Sequence, residues 1–156
     1  SVIDIFEKLY LELRPDRFQK LMPVLLADNG TEFSNPSAIE LDRQENPRTR
    51  MFYCDPSAPY QKGSAERNHE LILCFFPKGT SLDPYTQDQI SLMMDHINSY
   101  CRESLGNKTP YEMMAFLYGE DILDLLGCHK IAPNEVTMNS SIFIDKGEAG
   151  NEKENI

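Results

Sequence analysis

Asp28 and Glu66 are the side chains in this sequence best placed to do chemistry. Asp28 follows the apolar run Val24-Leu25-Leu26-Ala27 and opens Asp28-Asn29-Gly30-Thr31-Glu32-Phe33. A carboxylate therefore stands where a buried strand should end and a glycine-containing turn begin. Glu66 comes 38 positions later, inside Gly63-Ser64-Ala65-Glu66-Arg67-Asn68. Two carboxylates on rigid elements, one at a strand tip and one in the first turn of a helix, can share divalent cations for phosphoryl transfer. Each has a plainer explanation when taken alone. Aspartates at strand ends form Asx turns, and glutamates in first turns are favoured by the helix dipole. Such metal sites usually use a third carboxylate, and the sequence offers no convincing one.

The elements that must position these groups can be read from periodicity. Val2, Ile5, Phe6, Leu9 and Leu13 recur at helical spacing, so residues 2–13 are predicted to form an amphipathic helix closed by Pro15. Residues 23–27 suit a strand buried on both faces. Asn35-Pro36 pairs an N-cap with a first-position proline, predicting a short helix over 36–43. Arg48 to Cys54 is rich in strand formers, and residues 55–63 (DPSAPYQKG) form a loop. A helix is expected from Ser64 to Phe76, stopped by Pro77-Lys78-Gly79. On it, Glu66, His69, Glu70 and Leu73 share one stripe, with Leu71, Ile72 and Phe75 on the core side. Thr86-x-x-Gln89 is a capping box opening a helix whose apolar stripe is Ile90, Met93, Met94, Ile97 and Cys101. Thr109-Pro110-Tyr111-Glu112 opens another helix, to Leu117, and a short one follows at 120–126, ended by Gly127. The order is α/β with a small sheet, and two strands are too few to cover an open sheet's faces and edges.

The 156 residues fit a single core, with no run long enough to span a membrane and no signal-peptide pattern at the start. Cys54, Cys74, Cys101 and Cys128 are widely spaced, which argues for reduced thiols in a cytosol, as small core or half-buried residues, and against a zinc ribbon or redox pair. A net charge of −10 is a poor signature for DNA binding. The charge is uneven, however: residues 40–80 hold six basic and six acidic side chains, and acid concentrates in 112–124 and in the tail. Residues 1–126 are read as a core with a helical extension, 127–144 as a C-terminal segment, and 145–156 as a disordered acidic tail. Near the two carboxylates, Asn29, Lys62, Arg67 and Lys78 are candidates to hold phosphates, or are ordinary solvated polar groups. His69 is a candidate auxiliary group for a proton or metal, or a satisfied structural histidine.

The ordered series Ala27-Asp28-Asn29-Gly30-Thr31-Glu32-Phe33, Asp55-Pro56, Gln61-Lys62-Gly63-Ser64-Ala65-Glu66-Arg67-Asn68-His69-Glu70 and Phe76-Pro77-Lys78-Gly79-Thr80 resembles the catalytic core of DDE transposases. The last of these, with Asn98-Ser99-Tyr100 and Lys108-Thr109-Pro110-Tyr111-Glu112, points to the Insertion Sequence Thirty branch. The resemblance covers about residues 1–143. It implies a partial ribonuclease-H-like fold, as in retroviral integrases, with the initial strands of the sheet absent. It also implies DNA cutting and joining with two Mg²⁺ (or Mn²⁺) ions, in a bacterial cytoplasm at the nucleoid.

By the resemblance, Asp28 matches the second carboxylate and Glu66 the third, both as metal ligands. The first belongs on an upstream strand. Asp4, the one tempting substitute, sits on the predicted helix only 24 positions before Asp28. The family also typically has a basic residue where Leu73 stands, and often another at Cys74, so weaker DNA affinity is expected. Together these departures imply a C-terminal transposase portion with an incomplete triad, nearly inactive alone. Its partners would be mobile-element ends, target DNA and further transposase copies. Two other classes compete: a non-catalytic module that binds or poisons intact transposase through residues 86–126, and another metal-dependent nuclease of the same fold.

Overall fold

A computed structural model describes residues 1–55 and 58–144, without the side chains of Pro59, Lys62 and Ser64. The tail expected at 145–156 and part of the 55–63 loop lie outside these residues. The chain divides into two compact units, residues 1–66 and 67–156. Among the described residues, no helix is long and apolar enough to cross a membrane.

The first unit begins with α1 (Val2–Leu13), capped reciprocally by Ser1 and Asp4. Asp4 is thus a capping residue of this helix. The buried face of α1 keeps Val2, Phe6 and Leu13 of the expected stripe, with Leu9 half-buried, and adds Ile3 and Tyr10, while Ile5 is exposed. Pro15 does not simply end α1. It opens a second helix, α2 (Pro15–Leu21), at its first turn, with Arg14 at φ 67° as the joint and Phe18 fully buried. Next come β1 (Val24–Ala27), α3 (Pro36–Glu40) and β2 (Arg50–Tyr53). The α3 helix has Asn35 as its cap, as expected, but is shorter than 36–43.

The two strands are parallel, with Val24 opposite Arg50 and Ala27 opposite Tyr53. One face of this pair packs Leu25, Ala27 and Met51 against Ile39 and α1. The other leaves Val24 and Leu26 54% and 49% exposed, so β1 is not buried on both faces. The physical reason is that, among the described residues, nothing in this unit layers over that side of the two-stranded sheet.

Arg48 holds the unit together. Its side chain is fully buried. Nε donates to the Ile39 carbonyl (2.8 Å), Nη2 to the Ala38 carbonyl (2.9 Å) and Nη1 to Glu7 Oε2 (2.8 Å). It thereby satisfies carbonyls at the end of α3 and ties that end to α1. The guanidinium also lies over the Tyr10 and Phe18 rings, at 5.3 and 5.9 Å.

The helix α4 (Gly63–Leu73) runs across the boundary between units and ends three residues earlier than expected. The second unit continues with α5 (Gln87–Asn98), α6 (Pro110–Tyr118) and α7 (Glu120–Leu125). Both predicted capping boxes, Thr86 with Gln89 and Thr109 with Glu112, are formed. The core comprises Leu71, Phe75, Phe76, Met93 and Ile97, with Ile90 and Met94 packed against it. Cys101 lies past the end of α5 and is exposed, as is Cys74, so these two are not the half-buried thiols expected. Phe143 stacks on Phe76 at 5.3 Å, which brings the 127–144 segment into this core.

The polar face of α5 also holds that segment. Asp95 accepts from the His129 backbone N–H (2.8 Å), and Ser99 Oγ from that of Ile131 (2.9 Å). His96 Nδ1 accepts from the Thr137 N–H (3.1 Å). Burial pushes the His96 imidazole below its ordinary pKa, and the nearby Asp95 opposes this more weakly.

Candidate functional site

The parallel register decides where the candidate carboxylates begin. Asp28 is the first residue beyond β1, and Cys54 the first beyond β2, at the same C-terminal edge of the sheet. The ladder extends to this point, since the Cys54 N–H donates to the Ala27 carbonyl at 2.8 Å. In open parallel sheets this edge is where ligands bind. The chain leaving β2 from it reaches Gly63, the start of α4, and Glu66 lies in that helix's first turn. Both carboxylates fall in the unit of residues 1–66, and both are exposed.

Asp28 Oδ1 accepts from the Gly30 N–H at 3.4 Å, so an Asx turn does form here. Gly30 has φ −66°, and a positive φ is not what the turn demands. A Cβ there would meet the Glu32 carboxylate at 2.5 Å, but that is the far end of an exposed side chain that can swing aside, so neither φ nor this contact requires glycine. Asn29 sits between the strand ends, its side-chain amide donating to the Cys54 carbonyl at 3.4 Å. A phosphate contact from Asn29 would compete with this bond.

Sequence reasoning gave no role to Asp55 and Gln61 beyond the motif. In the structure they clamp the start of the connection between β2 and α4. The Asp55 N–H donates to Gln61 Oε1, and Gln61 Nε2 donates to Asp55 Oδ2, each at 2.9 Å. This reciprocal pair helps set where α4, and with it Glu66, begins.

On α4 the expected two-faced pattern is present. Glu66, His69, Glu70 and Leu73 are exposed, while Leu71 is buried and Phe75 is buried just beyond the helix end. Arg67 is exposed and already paired, Nη1 lying 2.6 Å from Glu70 Oε2, which raises its pKa. An exposed i, i+3 pair of this kind is worth little and can be exchanged for a phosphate. Lys78 is exposed in the turn closed by the Thr80 N–H to Pro77 carbonyl bond, in the second unit. The Lys62 side chain lies outside the described residues. Among the described residues, no group of three or more His, Cys, Asp or Glu side chains gathers as a metal site. Asp28 and Glu66 offer hard oxygen donors of the type Mg²⁺ or Mn²⁺ takes, but two carboxylates only.

No protein-family model and no solved structure matches the chain significantly. Curated sequences do. The transposase InsI of insertion sequence element IS30A from Escherichia coli (strain K12) is 33% identical over 114 residues, 73% of this chain and 27% of the relative. The transposase of insertion sequence element IS1086 from Cupriavidus metallidurans is 33% identical over 95 residues, 61% of this chain and 27% of the relative. A putative integrase of Spiroplasma virus SpV1-R8A2 B is 29% identical over 89 residues, 57% of this chain and 26% of that protein. The chain thus spans about a quarter of the length of the relatives it matches. It is homologous to a transposase/integrase region of the Insertion Sequence Thirty family.

Proposed function

We propose that this chain is part of the catalytic core of a DDE-type transposase, with a ribonuclease-H-like sheet to which β1 and β2 contribute. Asp28 and Glu66 are two of its three metal-holding carboxylates. The parallel register of β1 and β2 carries this reading. It starts Asp28 and the path to Glu66 from one sheet edge, in a chain whose relatives are transposases.

Mg²⁺ or Mn²⁺, when bound, supplies Lewis-acid stabilisation of the oxygens at a phosphodiester. The chain's own residues do the holding and positioning. Asp28 and Glu66 grip the cation from a strand end and a helix start. Asn29 and the Asp55–Gln61 clamp fix the strand ends and the intervening loop. Lys62, Arg67 and Lys78 neutralise DNA phosphates, and His69, on the Glu66 stripe, is an auxiliary group. Two carboxylates by themselves hold a divalent cation weakly and give little strand transfer without the third that such sites use.

Calorimetric titration with Mn²⁺ tests this: the wild-type chain should bind, and Asp28→Asn and Glu66→Gln should each abolish binding. Unchanged binding in Asp28→Asn would remove the metal site. Strand-transfer assays with element-end DNA and Mg²⁺ should show almost no product from the isolated chain, and robust joining would refute the incomplete triad.

One observation favours a second reading, as a module that associates with intact transposase. No residue of α6 is fully buried, and Phe116 on it is 84% exposed. Mixed complexes with a full-length relative, lost in Phe116→Ser, would support it. A chain that elutes only as a monomer beside that relative would argue against it.

A further inference from the structure

The second unit contains a cleft of about 390 Å³ lined by Arg67 and Leu71 of α4 and by Tyr100, Arg102, Glu103 and Ser104. Arg102 is half-buried, and its Nε is buried with no hydrogen-bond partner among the described residues. An orphaned buried donor on a charged group is costly and calls for an explanation. Glu103 does not provide it, since among the described residues it forms no ion pair with either arginine. The guanidinium is disfavoured twice over: burial pushes the Arg102 pKa down, and the neighbouring Arg67 charge pushes it further in the same direction. Both penalties are relieved by an anion between the two arginines.

Arg102 is also held firmly. Its N–H donates to the Lys108 carbonyl (3.0 Å), and its carbonyl accepts from Leu105 (3.0 Å) and Asn107 (3.1 Å). Asn107 and Gly106 adopt left-handed conformations to close this turn, at φ 59° and 64°. A planar five-donor fork on a pinned backbone, beside a second arginine in a cleft that Tyr100 and Ser104 also line, is suited to a phosphate.

We propose that this cleft is a phosphate site that takes one backbone phosphate of DNA between Arg102 and Arg67. The nucleic-acid source rests on the proposed function; the anion chemistry rests on the cleft. Arg67 directly follows Glu66 in the sequence of α4. The Arg67–Glu70 pair opens when the phosphate arrives.

The test uses the full chain and the side-chain Nε–H resonance of Arg102, assigned by its absence in Arg102→Gln. Titration with a short DNA duplex should shift this resonance, and titration with inorganic phosphate should shift it at higher concentration. In anisotropy measurements, Arg102→Gln should bind the duplex roughly tenfold more weakly and lower the salt slope by about one. Arg102→Lys should keep most of that slope. A duplex that binds while the Arg102 resonance stays still, with Arg102→Gln unaltered in affinity and slope, would overturn the site and leave the DNA reading standing. A shift with inorganic phosphate and no duplex binding would retain the anion site and overturn the DNA reading. No shift with either ligand would overturn the site outright.

Discussion

Single side chains set most of the local geometry, and Arg48 shows how. It carries three hydrogen bonds from a fully buried position, to Ile39, Ala38 and Glu7. Removing it leaves the Ile39 and Ala38 carbonyls without this donor, while Glu7 keeps its pair with Arg43. Arg48→Ala should therefore destabilise the first unit by about 2–4 kcal/mol, read as faster hydrogen exchange at the Met51 amide and a lower urea midpoint. His96 gives a pH dependence of known sign. Its folded pKa lies below the ordinary value because burial disfavours the charged ring. Protons are then bound more readily by the unfolded chain, so stability from this group is intact above about pH 6.5 and falls as the pH drops through and below that value. His96→Gln, which keeps an acceptor for the Thr137 N–H, should flatten the acid limb of a stability profile.

At the scale of elements, the caps were the most legible part of the sequence. Thr86-x-x-Gln89, Asn35-Pro36 and Thr109-Pro110 each state a helix start in local chemistry, and each start is where it was expected. Thr86→Ala should cost about 1 kcal/mol and lower the melting temperature of the second unit; an unchanged melt would mean the box does not bear on stability. What the sequence could not show was tertiary. Pro15 reads equally as a stop or a first-position start, and the helix from Pro15 to Leu21 took the second option. Residues Cys74 to Phe76 look helical by composition, but Phe75 and Phe76 are needed in the core, and the chain turns to place them there. The buried polar trio Asp95, His96 and Ser99 gave no recognisable signal, because its partners, backbone groups and the His129 ring, lie more than thirty residues away. At the candidate site, Asp28 and Glu66 were legible through turn and helix-start chemistry, whereas the Asp55–Gln61 clamp and the Arg102 cleft depend on folded neighbours.

For the whole molecule, two units are joined through one helix, with Glu66 at the end of the first and Arg67 at the start of the second. A net charge of −10 opposes nucleic-acid binding in general, so any affinity must come from local basic groups. Duplex binding should accordingly be weak and steeply salt-dependent. Raising salt from about 50 to 200 mM should abolish it; affinity insensitive to salt would mean contacts other than Lys62, Arg67, Lys78 and Arg102 dominate.

The central claim is that Asp28 and Glu66 hold one cation together, and paramagnetic Mn²⁺ tests it most directly. Substoichiometric Mn²⁺ should broaden the amide resonances around Asp28 and around Glu66 in parallel, and Asp28→Asn should remove the effect at both places. Broadening at one carboxylate that persists when the other is neutralised would contradict a shared site.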